Sequence, residues 1–278
     1  MKPLCSLNGR IQPLAEARID PLDRGFLFGD ALYDVVRVID GILLDLDSHV
    51  SRLAGGLERI DIETPPGLAE SCRQLVTATE LGTGYLYLQV SRGVAPRSHQ
   101  PPRDITPTVL VLAVPHSFAT PAARAMRAIS RPDDRWKHCD LKTTSLIATV
   151  RGKLAVRDAG ADEVLFVGPQ GEVREGGSSN LFVRQGDLLK THPLDGRILE
   201  GVTRGILLEL AKQSGLPCAE TSPRLQEREE WQEAFLCGTL TGVQPLVELD
   251  GEPLADRVVG TWTQLLAAAL EDRDRQGA

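Results

Sequence analysis

A chain of 278 residues, 42% hydrophobic and 25% charged, has the composition of a globular protein that can bury one large core or two modest ones. Its net charge of -7 opposes nonspecific attraction to nucleic acid or an anionic membrane surface, and no apolar run approaches the ~20 residues that span a bilayer. The five cysteines, Cys5, Cys72, Cys139, Cys218 and Cys237, are scattered, odd in number and never spaced CxxC, which argues against a disulfide framework or a zinc site and leaves a small molecule as the expected partner.

The start, "MKPLCSLNGRIQP", lacks the continuous apolar core of a signal peptide, so the expected location is the cytoplasm. "CSLNGRIQP" reads as a hairpin around Asn8-Gly9 and "YDVVRVIDGILLDL" as another around Asp40-Gly41. Two helices follow, "SHVSRLAGGLERI" from an N-cap at Ser48 and "GLAESCRQLVTATEL". "YLYLQVSRG" and "PTVLVLAV" have strand length and are separated by the Pro-rich "APRSHQPPRDITP". "PHSFATPAAR" reads as a linker. Beyond it come a strand in "ARAMRAIS", a strand-like "RWKHCDL", a helix "TSLIATVRGKLAVRDAG" ending at Gly160, and a hairpin "DEVLFVGPQGEV". "NLFVRQGDLLKTH" is a strand pair, "GVTRGILLELAKQSG" a helix closed by Gly215, and "RVVGTWTQLLAAALEDR" a final helix. The division expected is a small α/β domain over 1–117, a linker over 118–122 and a large α/β domain over 123–278. This is an α+β chain without the regular alternation of a doubly wound sheet.

The dinucleotide glycine pattern, the phosphate loop and HExxH are absent, and "EGGSSN" misses a GxSxG elbow because Asn180 replaces the second glycine. A helix start at Gly201 is suited to a dianion through the amides of Val202 and Thr203 and the Thr203 hydroxyl. Thr203 serves equally well as a plain capping residue. In "VSRGVAPRSHQ", Arg97 and His99 stand one residue apart, so in an extended segment both face one space that suits an anion.

"DRGFLFGDALYDVVRV", "HVSRL", "CDLKTTSL", "GADEVLFVGPQGEVREGGSSNLFV", "ILEGVTRGILLELA" and "CGTLTGVQPLVELDG", in this order, cover nearly the whole chain. Together they resemble the fold-type IV family of pyridoxal-phosphate enzymes. "RGVAPRSHQ" and "RWKHCDLK" look most like the D-amino acid aminotransferases of that family. The resemblance implies two mixed α/β domains with pyridoxal 5'-phosphate between them, and a homodimer whose active sites are completed across the interface. Lys142, in the expected large domain, matches the lysine that forms a Schiff base with the cofactor and moves the substrate Cα proton. Glu175 matches the carboxylate paired with the protonated pyridine nitrogen. Arg52, Val202, Thr203, Thr239 and the Leu240 amide match the phosphate cup, Leu199 the residue against the ring, and Ser178 a hydrogen-bonding group near phosphate or lysine. Tyr33, Arg97 and His99 match a trap for the substrate α-carboxylate, with Arg97 and His99 reaching the neighbouring subunit's site.

The reaction implied is a ping-pong transamination between a D-amino acid, such as D-alanine, D-glutamate or D-aspartate, and a 2-keto acid such as 2-oxoglutarate. No metal is called for. Asp34 stands where glutamate is typical, "KTTSL" where asparagine is common, and Gly242 where glutamate is frequent. "CGTLTG" also resembles the Gly-Thr turn of branched-chain enzymes. The alternatives are an L-branched-chain aminotransferase, an (R)-amine transaminase or an aminodeoxychorismate lyase.

Overall fold

A computed structural model describes residues 3–118, 125–254 and 257–277. The chain divides into two compact units: Met1–Ser117 with Leu141–Leu146 and Gly277–Ala278, and Phe118–Asp140 with Ile147–Gln276. The expected linker over 118–122 lies, apart from Phe118, outside the described residues.

The first unit is built on an antiparallel sheet of β1 (Leu4–Leu7), β2 (Arg10–Pro13), β3 (Ala31–Ile39), β4 (Ile42–Leu43), β5 (Gly84–Ser91) and β6 (Thr108–Pro115), ordered β2-β1-β6-β5-β3-β4. Both expected hairpins form, with Asn8, Gly9, Asp40 and Gly41 all at positive φ, as a two-residue loop matching strand twist requires. Three helices complete the unit: α1 (Arg24–Phe28), α2 (Leu46–Arg59) and α3 (Leu68–Thr79). Strict alternation in β3 and β5 turns Val36, Val38, Leu86 and Leu88 into one core with Leu53 and Leu57 of α2 and Cys72 and Leu75 of α3. The N-cap of α2 is Asp45, in the left-handed region, rather than Ser48. Burial of Leu46 draws the helix start three residues forward, leaving Ser48 inside the first turn.

β4 pairs only with Val38 and Ile39, so the start of β3 has an open edge. Leu141–Leu146 fills it. The Tyr33 N–H donates to the Lys142 carbonyl at 2.9 Å, the Thr144 N–H donates to the Ala31 carbonyl at 3.1 Å, and Thr143 bridges Leu32. Buried Leu141 joins the same core. The segment expected in the large domain therefore belongs to the first unit, because unpaired edge groups and an apolar anchor hold it there. Residues 135–141 form bends rather than a strand, and the next helix, α4 (Ile147–Ala159), begins five residues after Lys142.

The second unit contains β7 (Met126–Pro132), β8 (Glu163–Val167), β9 (Val173–Gly176), β10 (Asn180–Gln185), β11 (Leu188–Thr191), β12 (Cys218–Glu220), β13 (Trp231–Gly238), β14 (Gly242–Leu249) and β15 (Glu252–Pro253). The sheet order is β12-β11-β10-β13-β14-β7-β8-β9, with β15 on β14, and the pair Asn180–Glu175 joins β9 back to β10. That pair closes β10, β13, β14, β7, β8 and β9 into a ring around Leu165, Leu181, Val183, Leu236 and Leu246. Outside it, α5 (Val202–Gln213) and α6 (Thr261–Gly277) pack on Phe182, Phe235 and Val243. The last helix starts at Thr261, not at residue 257, because the buried Glu233 carboxylate accepts from the Trp262 and Thr263 amides and the Thr263 hydroxyl. No helix among the described residues is long and apolar enough to cross a membrane.

Candidate active site

In the first unit, β3 carries Tyr33 and Asp34 on opposite faces. Tyr33 stacks on Tyr87 with ring centroids 5.3 Å apart, and Lys142 Nζ lies 4.4 Å from the Tyr33 ring centroid. The structure thus brings Tyr33 and Lys142 together. Burial, with Tyr33 beside it, pushes the Tyr87 hydroxyl up to about 12.

Asp34 is fully buried, and a buried carboxylate needs partners. Its Oδ1 accepts from Arg52 Nη2 at 2.7 Å and lies 2.8 Å from His49 Nδ1, while Oδ2 accepts from Arg52 Nε at 2.8 Å. Burial alone would raise this carboxyl; the His49 hydrogen bond and the Arg52 charge outweigh it and hold the group well below the usual carboxylate range. Arg52 is accordingly fixed by one edge of its fork. The sequence signal was available: an acidic residue at an inward position of an alternating strand, and His49 and Arg52 one helical turn apart.

Arg97 and His99 are exposed and lie in bends rather than in an extended strand. They nevertheless meet, because both stand against the Phe28 ring: Arg97 Cζ is 5.5 Å from its centroid, and the His99 ring centre is 5.6 Å away, edge-on. Among the described residues neither makes a hydrogen bond, ion pair or ring contact with Tyr33 or Lys142.

The second unit gathers a further set. Glu175, 5% exposed on β9, accepts from Arg135 Nη1 on Oε1 at 2.5 Å. Its Oε2 accepts from Asn180 Nδ2 at 3.2 Å and from the Leu199 amide at 3.0 Å. Arg135 in turn donates to both oxygens of Asp133, which also accepts from Arg174, and Arg174 pairs with Glu172. Asn180 links Glu175 to the Leu199 carbonyl at 3.1 Å and faces Gly201 so closely that a Cβ there would strike its Oδ1.

Gly201 is the N-cap of α5, with no side-chain cap and no acidic residue in the first turn. Thr203 is buried inside that turn rather than capping it. Ser178 is exposed, and its hydroxyl donates to buried Glu163, whose carboxylate also accepts from Ser179, the Gly177 amide and Lys153. Thr239 and Leu240 form the turn between β13 and β14, and Gly238 before them lies beside the Ser178 carbonyl. Asn180 thus links Glu175 to Leu199 and to the start of α5 that bears Val202 and Thr203, while Gly238 sets the Thr239–Leu240 turn beside Ser178. Sequence reading missed Arg135, Asp133, Asn180 and Glu163, whose roles depend on pairings across the strand ring.

The donor set suits a phosphorylated pyridine. A buried carboxylate held by Arg135, Asn180 and the Leu199 amide is suited to pairing with a protonated ring nitrogen. An uncapped helix start free of acidic residues complements a dianion.

A model of the family "Amino-transferase class IV" matches residues 31–249. A D-alanine aminotransferase of Bacillus licheniformis is 34% identical over 269 residues, 95% of each chain. One of Staphylococcus aureus (strain N315) is 30% identical over 273 residues, again 95% of each. The crystal structure of the Escherichia coli branched-chain amino acid aminotransferase superposes with a TM-score of 0.90 at 19% identity, covering 98% of this chain and 94% of that one, a likeness of fold. The chain belongs to the class IV aminotransferase family, and it is an enzyme that works with pyridoxal 5'-phosphate.

Proposed function

We propose that the chain exchanges the amino group of a D-amino acid, with D-alanine, D-glutamate or D-aspartate as donor, with a 2-keto acid such as 2-oxoglutarate. The D-alanine aminotransferases similar to it along 95% of its length support this reading. The observation that carries it is the exposed pair Arg97 and His99 on one aromatic ring. Arg97 has no hydrogen bond or ion pair among the described residues. A guanidinium fork beside an imidazole donor is suited to a carboxylate.

Pyridoxal 5'-phosphate, when bound, supplies an aldehyde that takes up the substrate amine and a ring that accepts the electron pair left on Cα. Lys142 Nζ is the base that removes the Cα proton and returns it. Its main chain is fixed by Tyr33 and its ammonium faces the Tyr33 ring, so the amine swings on its side chain alone. Glu175 keeps the ring nitrogen protonated, with Arg135, Asn180 and the Leu199 amide holding its carboxylate in place. The α5 amides at Val202 and Thr203, Thr239 and Leu240 would hold the phosphate, and Arg52 is the cation proposed to pair with it. Ser178, whose hydroxyl donates to Glu163, would stand near the phosphate or the lysine, and Leu199 would lie against the ring.

Tyr33 completes the carboxylate trap with Arg97 and His99 supplied by a second copy of the chain. A homodimer would also cover the face of α4 where Ile147, Val150 and Leu154 are 77%, 50% and 44% exposed at helical spacing.

The test is the absorption spectrum of the purified holoenzyme, titrated with D-alanine and then with L-leucine. D-Alanine is expected to convert the visible or near-ultraviolet band to the shorter-wavelength band of the aminated cofactor. Conversion by L-leucine alone would overturn the D-specific reading in favour of a branched-chain one.

A further inference from the structure

The segment Asp23–Asp30, "DRGFLFGD", leads into β3, yet the proposed reaction uses none of its side chains. Its geometry connects it to the loop that bears Arg97 and His99. Arg24, 4% exposed, donates through Nη1 to the Ser98 carbonyl at 2.5 Å and through Nη2 to the His99 carbonyl at 3.1 Å. One guanidinium thereby grips two successive carbonyls, with His99 between them. Its Nε donates to Asp30 Oδ2 at 2.8 Å. Asp30 is held in turn by Arg92 Nε and Nη2 at 2.8 and 3.0 Å, and Arg92 also donates to the Ile60 and Asp61 carbonyls beyond α2.

The main chain is tied at the same place. The Arg24 amide donates to the Gly93 carbonyl and the Arg92 amide to the Asp30 carbonyl, while Asp23 bridges Val94. The Asp23 carboxylate accepts from the Gly25 amide and the Ser91 hydroxyl. Above this base lies the Phe28 ring, with Arg24 Cζ 4.8 Å from its centroid, Arg97 Cζ at 5.5 Å and the His99 ring at 5.6 Å, inclined by 72°. An exposed, Pro-rich loop would otherwise sample many conformers, and ordering its two donors would weaken every substrate encounter.

We infer that Arg24 and Phe28 are positioning residues for the substrate α-carboxylate: Arg24 fixes the backbone on either side of His99, and Phe28 is the platform that pre-orients the Arg97 guanidinium and the His99 ring. The inference rests on the reading of Arg97 and His99 as carboxylate ligands. A purely structural role, closing α1 onto the sheet, would appear in thermal stability and leave substrate affinity alone.

The experiment uses the holoenzyme and its Phe28→Leu, Arg24→Lys, Arg97→Ala, His99→Ala and Arg97→Ala/Phe28→Leu variants. D-Alanine is compared with isopropylamine, which carries a methyl group in place of the carboxylate, in single-turnover half-reactions followed by the cofactor band. Phe28→Leu and Arg24→Lys are each expected to raise the half-saturating D-alanine concentration about tenfold, with the saturating rate and the isopropylamine rate changed less than about twofold. In the Arg97→Ala background, Phe28→Leu is expected to add little, because both act on one contact. Should Arg24→Lys fail to fold, Phe28→Leu decides. If Arg97→Ala and His99→Ala weaken D-alanine while Phe28→Leu does not, the positioning role is overturned and the carboxylate trap stands. If Arg97→Ala and His99→Ala leave D-alanine affinity unchanged, the trap itself is wrong and the inference goes with it.

Discussion

The surroundings of Lys142 and of Glu175 hold their charged groups in opposite ways. Lys142 is fixed through its main chain at the edge of β3, while Nζ faces a ring and makes no ion pair or hydrogen bond among the described residues. Glu175 is fixed through its side chain, with both carboxylate oxygens accepting hydrogen bonds inside a chain of buried charges. A group that carries a proton from atom to atom needs rotatable bonds and weak partners; one that keeps a single charge state needs the reverse. The same division separates Arg97, which has no charged partner among the described residues, from Arg52, which Asp34 holds by two nitrogens.

Lys142→Ala breaks the comparison most severely. Turnover of D-alanine is expected to fall about 10⁴-fold or more, measured as pyruvate formed with 2-oxoglutarate, because the group proposed to move the proton is gone. A variant keeping a tenth of the activity would remove Lys142 from its assigned role. Next, on the fixed side, Arg135→Met removes the guanidinium shared by the carboxylates of Glu175 and Asp133, whose side chains are 6% and 1% exposed, and leaves Glu175 Oε1 without its ion pair. Breaking a buried pair in this way costs about 3–5 kcal/mol, read in urea unfolding of the apoprotein. A loss below about 1 kcal/mol would show that the network is less tightly coupled than its geometry implies.

The smallest effect sharpens the comparison through pH. Burial opposes ionisation of Asp34, Asp133 and Asp30, but hydrogen bonds and charge from His49 and Arg52, from Arg135 and Arg174, and from Arg92 and Arg24 win, so all three native carboxyls titrate below their ordinary value. The stability they contribute is complete above about pH 4, the unfolded carboxylate value, and is lost as pH falls through the lower native values. Unfolding free energy should therefore decline below about pH 4, and Asp34→Asn should flatten that decline.

Local chemistry was legible in the sequence wherever a single residue type decides the backbone. Asn8-Gly9 and Asp40-Gly41 set their turns, and Gly160 and Gly215 follow their helices at positive φ. The positions proposed to face the cofactor were legible only through the family pattern, since a glutamate beside two glycines looks like a turn residue until strand pairing buries it. What escaped depends on distant partners. Glu233 starts α6 from 28 residues away (261 minus 233), Arg135 reaches Glu175 across the strand ring, and Leu141–Leu146 joins β3 from more than 100 residues downstream. Neither periodicity nor propensity encodes such long-range matches.

That last segment bears on how the chain is made. During synthesis from the N-terminus, residues 1–117 emerge with the Tyr33 amide and Ala31 carbonyl at the β3 edge still lacking the partners they have in the finished fold. These partners arrive only when residues up to 146 have left the ribosome, some two seconds later at roughly 15 residues per second. Until then that edge lacks its partner, and the stretch that covers it is the one that carries Lys142. In the finished fold the same six residues, Leu141–Leu146, close that edge and place Lys142.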